Sequence, residues 1–206
     1  MKYVLATANP GKIKELGKIL SEMGVEFLTR RDLGINIEIE ETGSTFLENA
    51  TLKADAIAAA SGMPAIADDS GLIVDSLGGE PGLFSSSYGG EELTDNQRCF
   101  YLLGKMSNME HRCAKFVCTI VCSFPDGKHI TATGECHGEI MTEPHGSDGF
   151  GFDPVFLPDG KDRTMAELTI DDKNKISHRG IALREFSALL KAHNETSPSH
   201  GFSPSR

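Results

Sequence analysis

The sequence predicts an α/β fold built on a mixed β-sheet with helices against it, and three observations carry that expectation. The chain opens with a strand, a tight loop and a helix, the unit from which parallel sheets are assembled. Its middle third alternates apolar residues with a period of two and turns at Pro125-Asp126-Gly127, which points to an antiparallel hairpin or meander. Helix starts are marked by Thr-x-x-Glu and Thr-x-x-Gln spacings. A chain of 206 residues fits one domain with a sizeable core and room for two lobes.

In chain order, Tyr3 to Ala6 reads as the first strand. Asn9 and Pro10 then supply an N-cap and a first-turn proline for a helix carrying Ile13, Leu16, Ile19, Leu20 and Met23 on one face. A capping box, Thr45 with Glu48, opens a second helix through Lys53, Ala54, Ile57 and Ala58 that ends near Ser61-Gly62. A short apolar strand, Ala65-Ile66-Ala67, delivers Asp68-Asp69 to a turn at Ser70-Gly71. Gly78-Gly79, Pro81-Gly82 and Gly89-Gly90 mark an irregular loop, after which Thr94 and Gln97 cap a helix through Phe100, Leu102 and Leu103. From Ala114 to Phe124 the even positions are apolar, predicting one buried sheet face on which Cys118 and Cys122 pack; Lys128 to Ile140 returns as a more polar strand. Thr164 with Glu167 caps a short helix, and Ser177 caps a last one bearing Ile181, Ala182, Phe186, Leu189 and Leu190. The Ser/Pro-rich segment 195–206 lacks an apolar face and reads as a disordered tail.

Hydrophobic content of 39% and charged content of 24% describe an ordinary globular protein, and the net charge of −10 argues against a general affinity for nucleic acid or acidic membranes. A polyanionic ligand therefore requires local positive charge or a metal. Neither a signal peptide nor the roughly 18 apolar residues of a membrane span is present, so a cytoplasmic setting is expected. The five cysteines form no Cys-x-x-Cys pair and the seven histidines no His-Glu-x-x-His spacing, which indicates neither a disulfide framework nor a zinc site.

Four further segments bear on chemistry. Thr7-Ala8-Asn9-Pro10-Gly11-Lys12 joins a strand to a helix N-terminus, where free amides, the helix dipole and a lysine can face an anion, although it departs from the Walker A pattern at Ala6 and Ile13. Asp68-Asp69 at a strand end can grip a divalent metal, and Glu38, Glu40 or Glu41, before Thr42-Gly43 at a second strand-to-loop junction, can complete a magnesium site with Asp69 or simply form a solvated acidic loop. Gly149-Phe150-Gly151-Phe152-Asp153-Pro154 suits either a wall on which a planar base stacks or a core turn with two buried rings. Lys173, His178 and Arg179 converge on the start of the last helix, where cations call for a compensating anion or acceptor.

Taken together and in order, Thr7 to Lys12, Glu40-Glu41-Thr42-Gly43 with Thr45-Phe46 and Glu48-Asn49-Ala50, Ala67 to Leu72, Gly149 to Pro154 and Ser177-His178-Arg179 resemble the inosine/xanthosine triphosphate pyrophosphatases over roughly residues 2–192. The resemblance implies a long mixed sheet flanked by helices, two lobes around a central cleft, and a homodimer. It implies magnesium-dependent hydrolysis of ITP, dITP and XTP to the monophosphate and pyrophosphate. It also implies that Thr7, Ala8, Asn9, Pro10, Gly11 and Lys12 hold the triphosphate, that Asp69 accepts a proton from water, and that Asp69 with Glu40 or Glu41 holds magnesium. Ser70, Phe150, Gly151, Phe152, Asp153, Lys173, His178 and Arg179 would contact the nucleotide. Ser87 departs from the arginine frequent in that family, and Phe152 from its frequent tyrosine. Two other readings stand beside this one: a pyrophosphatase of similar fold for other modified nucleotides, and a purine-nucleotide-binding module without hydrolysis.

Overall fold

The structure, a computed structural model, describes residues 2 to 196. Strand β1 (Lys2–Leu5) leads into α1 (Pro10–Glu22), followed by β2 (Glu26–Thr29), α2 (Phe46–Ser61), β3 (Ala65–Val74), α3 (Asp95–Lys105), β4 (Cys113–Ser123), β5 (His129–Ile140), β6 (Phe156–Pro158), α4 (Ile170–Ile176) and α5 (His178–Thr196). The strands form one sheet in the order β2-β1-β3-β4-β5-β6. β1 runs parallel to β2 and β3, and every later pairing is antiparallel, so the sheet is mixed as the sequence predicts.

Local chemistry sets the helix starts. The Asn9 side chain accepts the amides of Gly11 and Lys12, and Thr94 and Gln97 exchange both bonds of a capping box. At α2 only half of the expected box forms: Thr45 accepts the Glu48 amide, while the Glu48 carboxylate reaches past it to the Ser44 amide at 2.6 Å. On α3 Arg98, Cys99 and Leu102 are buried, with buried Met106 at its C-cap, while Phe100 is 57% exposed. On α5, Ala182, Phe186 and Leu190 are buried whereas Leu189 faces outward.

The period-two reading of the middle strand captures half of its burial. From Phe116 to Ser123 every residue of β4 is buried, because the strand lies at the centre of the sheet between α2 and α5. Cys118, Ile120 and Cys122 pack with Leu16, Leu20 and Phe186. Val121 packs on the other side with Ala50, Ala54 and Ile57 of α2, whose small alanines let that helix approach closely. Each fully buried aliphatic side chain here contributes roughly 1.5–3 kcal/mol. A third cluster joins Leu72, Cys99, Leu102, Phe116 and Phe156 toward the other end of the sheet.

Three elements escaped the sequence reading, among them the three-residue strand β6. β2 is four residues long with no fully buried side chain, and α4 is a seven-residue polar helix whose start is capped by Thr169. The expected tail is also shorter at its near end, since Glu195 and Thr196 continue α5; residues 197–206 lie outside the described residues.

Gly134 lets α5 lie directly on β5. A Cβ there would sit 2.3 Å from the His178 carbonyl oxygen and 2.5 Å from the Ala182 backbone nitrogen. Overpacking of this kind costs about 1–3 kcal/mol, so Gly134→Ala should lower the denaturation midpoint accordingly. A chemical-denaturation curve coincident with wild type would show that α5 can shift freely at this contact.

Candidate active site

β1 ends at Leu5, paired with Ile66, but β3 continues to Val74 with β4 along one edge. Between Ile66 and Leu72, where the segment 80–85 takes over beside β3, the other edge has no strand neighbour, and there a cleft of about 910 Å³ opens. Asp68 and Asp69 therefore sit within a ten-residue strand rather than at the end of a short one. Asp69 faces the cleft, whereas Asp68 is buried behind it. Of the site residues expected from the sequence, all line this cleft except the buried Asp68 and Glu40, which is exposed outside it.

The loop before α1 is organised by its own side chains. Thr7 Oγ1 accepts the Asn9 amide at 3.1 Å, and Asn9 Oδ1 accepts those of Gly11 and Lys12 at 2.9 and 3.2 Å. The amides of Gly11 and Lys12 are thus capped rather than free for an anion. Gly11 is needed for packing, since a Cβ there would fall 2.7 Å from the Phe150 ring. Lys12 Nζ reaches Asp68 Oδ2 at 3.0 Å.

The paired aspartates point to different partners, as neighbours on a strand do. Asp69 Oδ1 accepts Lys53 Nζ at 2.9 Å, Lys53 Nζ also reaches Glu41 Oε2 at 3.0 Å, and Asn49 Nδ2 lies 3.4 Å from Asp69 Oδ2. Burial raises the Asp69 carboxyl above its ordinary value despite Lys53. Asp68 is buried too, yet Lys12, Arg179 and Lys53 outweigh that burial and hold its carboxyl far below the usual range. Its Oδ1 has no hydrogen-bond partner within the protein. The structure distinguishes the two glutamates, bringing Glu41 to Asp69 through Lys53 and leaving Glu40 outside. No strand precedes them: residues 35–43 are irregular.

Across the cleft lies a buried charge network. Lys173 Nζ bonds Glu15 Oε1 at 2.7 Å and Asp153 Oδ2 at 2.5 Å. Arg179 bonds the other Glu15 oxygen, reaches Ser70 Oγ at 3.1 Å and Asp68 Oδ2 at 3.4 Å. Asp153 also accepts the Phe150 amide at 2.9 Å, which closes the Gly149–Asp153 loop on itself. The two rings of that loop separate: Phe152 enters the core, whereas Phe150 stays at the cleft with Lys173 5.0 Å and Arg179 5.5 Å from its centroid. The cationic residues that a helix N-terminus should repel are thus stabilised by Glu15, Asp68 and Asp153. Burial and the neighbouring Arg179 and Lys173 push His178 well below its ordinary pKa, and it stacks on Phe116 at 4.7 Å.

A neutral buried histidine has a definite pH consequence. Because its folded pKa is depressed, the unfolded chain takes up a proton first, so stability present above about pH 6.5 is lost as pH falls, by up to about 1.4 kcal/mol per unit. Thermal melts between pH 7.5 and 5 should show this decline, and His178→Gln should flatten it. Identical slopes for the two proteins would contradict the assignment.

Glu15 and Lys53 were not singled out from the sequence, and Asn49 was named only within the family motif, without a role. Asn49 and Lys53 are four apart on α2, on the side that carries Ala50 and Ala54, and that spacing was available as a signal. Glu15 sits beside Leu16 and Ile19 on the buried face of α1.

Comparison with known proteins gives a consistent result. A sequence model of the Ham1 family matches residues 3–189. The chain is 47% identical over 191 residues to a protein of Bacillus subtilis (strain 168) called dITP/XTP pyrophosphatase, covering 92% of this chain and 96% of that one. A protein of the same designation from Aquifex aeolicus (strain VF5) is 48% identical over 200 residues, with 93% and 97% covered. Among solved structures, the Staphylococcus aureus Ham1 protein superposes with a TM-score of 0.84 at 40% identity, covering 94% of this chain and all 100% of its own. A HAM1 protein from Coxiella burnetii gives 0.85 at 39% identity, with 93% and 99% covered.

Proposed function

The chain belongs to the Ham1 family and is a pyrophosphatase of nucleoside triphosphates; we propose that it hydrolyses ITP, dITP and XTP to the monophosphate and pyrophosphate with magnesium. The observation that carries this reading is the cleft itself, which sets Asp69, Lys53 and Glu41 beside the loop before α1 and a buried His178-Arg179 pair beyond them.

The electrostatics support a metal. Lys12, Lys53, Lys173 and Arg179 are matched against Glu15, Glu41, Asp68, Asp69 and Asp153, so the ionised cleft has no positive excess to offer a triphosphate. Glu41 and Asp69 already converge on one cation, the Lys53 ammonium, and two carboxylates are a sufficient protein share for magnesium. Magnesium held there would neutralise phosphate charge and lower the pKa of a bound water.

The protein's own groups do the rest. Asp69 takes the proton of the water that attacks the α-phosphorus, and its raised pKa moves it toward the range of an effective base. Lys53 and Lys12 are placed to meet the phosphates as their carboxylate partners engage elsewhere. At the other end of the cleft, Phe150 offers a ring to the base. The buried Nδ1 of His178 has no partner in the protein, and a 6-carbonyl with its neighbouring N–H offers one. An adenine amino group in place of that carbonyl would leave buried polar groups mismatched, which a hydrogen-bonding site rejects strongly.

Among the described residues no helix is long and apolar enough to cross a membrane. We propose a cytoplasmic setting, and a homodimer, which rests on the family resemblance and is testable by mass measurement in solution. The deciding experiment for the activity is pyrophosphate release from ITP, dITP, XTP, GTP and ATP at fixed magnesium, with a chelator control. Release from the first three that depends on magnesium is expected; equal rates on ATP would overturn the specificity, and no release would overturn the reading.

A further inference from the structure

Helix α3 touches two walls of the cleft at once, and none of its residues enters the chemistry above. Asp95 Oδ2 accepts the Gly151 amide at 2.7 Å, and one turn later Cys99 Sγ donates to the Gly151 carbonyl at 3.3 Å. Both polar backbone groups of one residue in the Gly149–Asp153 loop are therefore held by a single helix. Burial, with Asp95 and Asp153 adding to it, pushes the Cys99 thiol up to about 12, so it remains a donor.

Arg98, between them in sequence and buried, turns to the other wall. Its Nε donates to the Ser86 carbonyl at 3.1 Å and its Nη1 to the Leu93 carbonyl at 2.9 Å. Ser86 lines the cleft, and the neighbouring Ser85 Oγ accepts the Leu72 amide at 2.9 Å, docking the same loop onto β3. A buried guanidinium bonded to loop carbonyls is solvated only while the loop keeps its conformation.

We propose that α3 is a positioning element for the reaction in this cleft, with Asp95 acting through Gly151 and Arg98 acting through Ser86 to fix the two walls relative to each other. The inference rests on the pyrophosphatase reading of the site. Asp95 and Arg98 are positioning residues, not catalytic ones, and because Phe150 and Gly151 face the nucleoside, their loss should appear in KM.

Two variants of Asp95 separate positioning from stability. Asp95→Ala and Asp95→Asn both remove the charge that favours the start of α3, but only Asn retains an acceptor for the Gly151 amide. With ITP and magnesium, Asp95→Ala should raise KM about three- to tenfold with kcat within about twofold, the loss of one hydrogen bond. Asp95→Asn should keep KM within about twofold while still melting below wild type, since it too loses the charge at the helix start. Arg98→Met should raise KM similarly, and Arg98→Lys should recover part of it. A wild-type KM in Asp95→Ala, or an equal loss in Asp95→Asn, overturns the proposal. Should the wild-type protein release no pyrophosphate, the pyrophosphatase reading fails on its own, and hydrogen exchange decides the positioning: faster exchange at Gly151 in Asp95→Ala than in Asp95→Asn supports it, and equal rates refute it.

Discussion

Asp69→Asn should lower kcat for ITP by at least about 10²–10⁴-fold while leaving the melting temperature unchanged or raised. The rate loss follows from removing the proposed base, a role worth that range by itself, and half of the acidic pair that faces Lys53. The stability half has the opposite sign to the usual expectation for a buried salt bridge. Asp69 has a folded pKa raised above its unfolded value, so its contribution to stability is present below that value and lost as pH rises, and at neutral pH the ionised carboxylate is a cost; Asp69 in turn raises the Lys53 pKa, and that attraction offsets part of the cost. Asn also retains an acceptor for Lys53. Steady-state rates paired with thermal melts check both halves, and near-normal magnesium-dependent turnover would remove Asp69 from the chemistry.

The same residue shows what a sequence can and cannot specify. Asn9-Pro10 and Thr94 with Gln97 were legible because capping is local chemistry, decided within four residues. The aspartate pair was legible as a site but misplaced at a strand end, since β3 runs on to Val74 in pairing with β4, a strand about fifty residues away in sequence. For a related reason the choice between Glu40 and Glu41 stayed open: adjacent acids in an irregular segment have no periodicity to tell them apart, and only Lys53 from α2 selects one. β2, β6 and α4 were missed because each is too short, at four, three and seven residues, to show an apolar period. Glu15 is the clearest case. An acid on α1 reads as solvent-facing until α4 and α5 are placed over it, and its partners lie 158 and 164 positions away.

That distance makes Glu15 the residue whose loss should harm folding most. Glu15→Ala strips one carboxylate from two buried cations, leaving Lys173 with Asp153 and Arg179 with Asp68. Breaking a buried pair on one side costs about 3–5 kcal/mol, roughly 6–20 °C in melting temperature for a chain of this size. The acid limb should change as well. Coulombic attraction to Arg179 and Lys173 holds the Glu15 carboxyl below its ordinary 4.5 in spite of burial. Its contribution is therefore present above about pH 4.5 and lost as pH falls through the lowered value, so the variant should lose less stability than wild type across that acid range. Pairing Glu15→Ala with Lys173→Met separates network from packing: a coupled pair gives a double mutant well short of the summed single losses, and simple addition would mean that Glu15 stabilises α1 by contacts other than these charges.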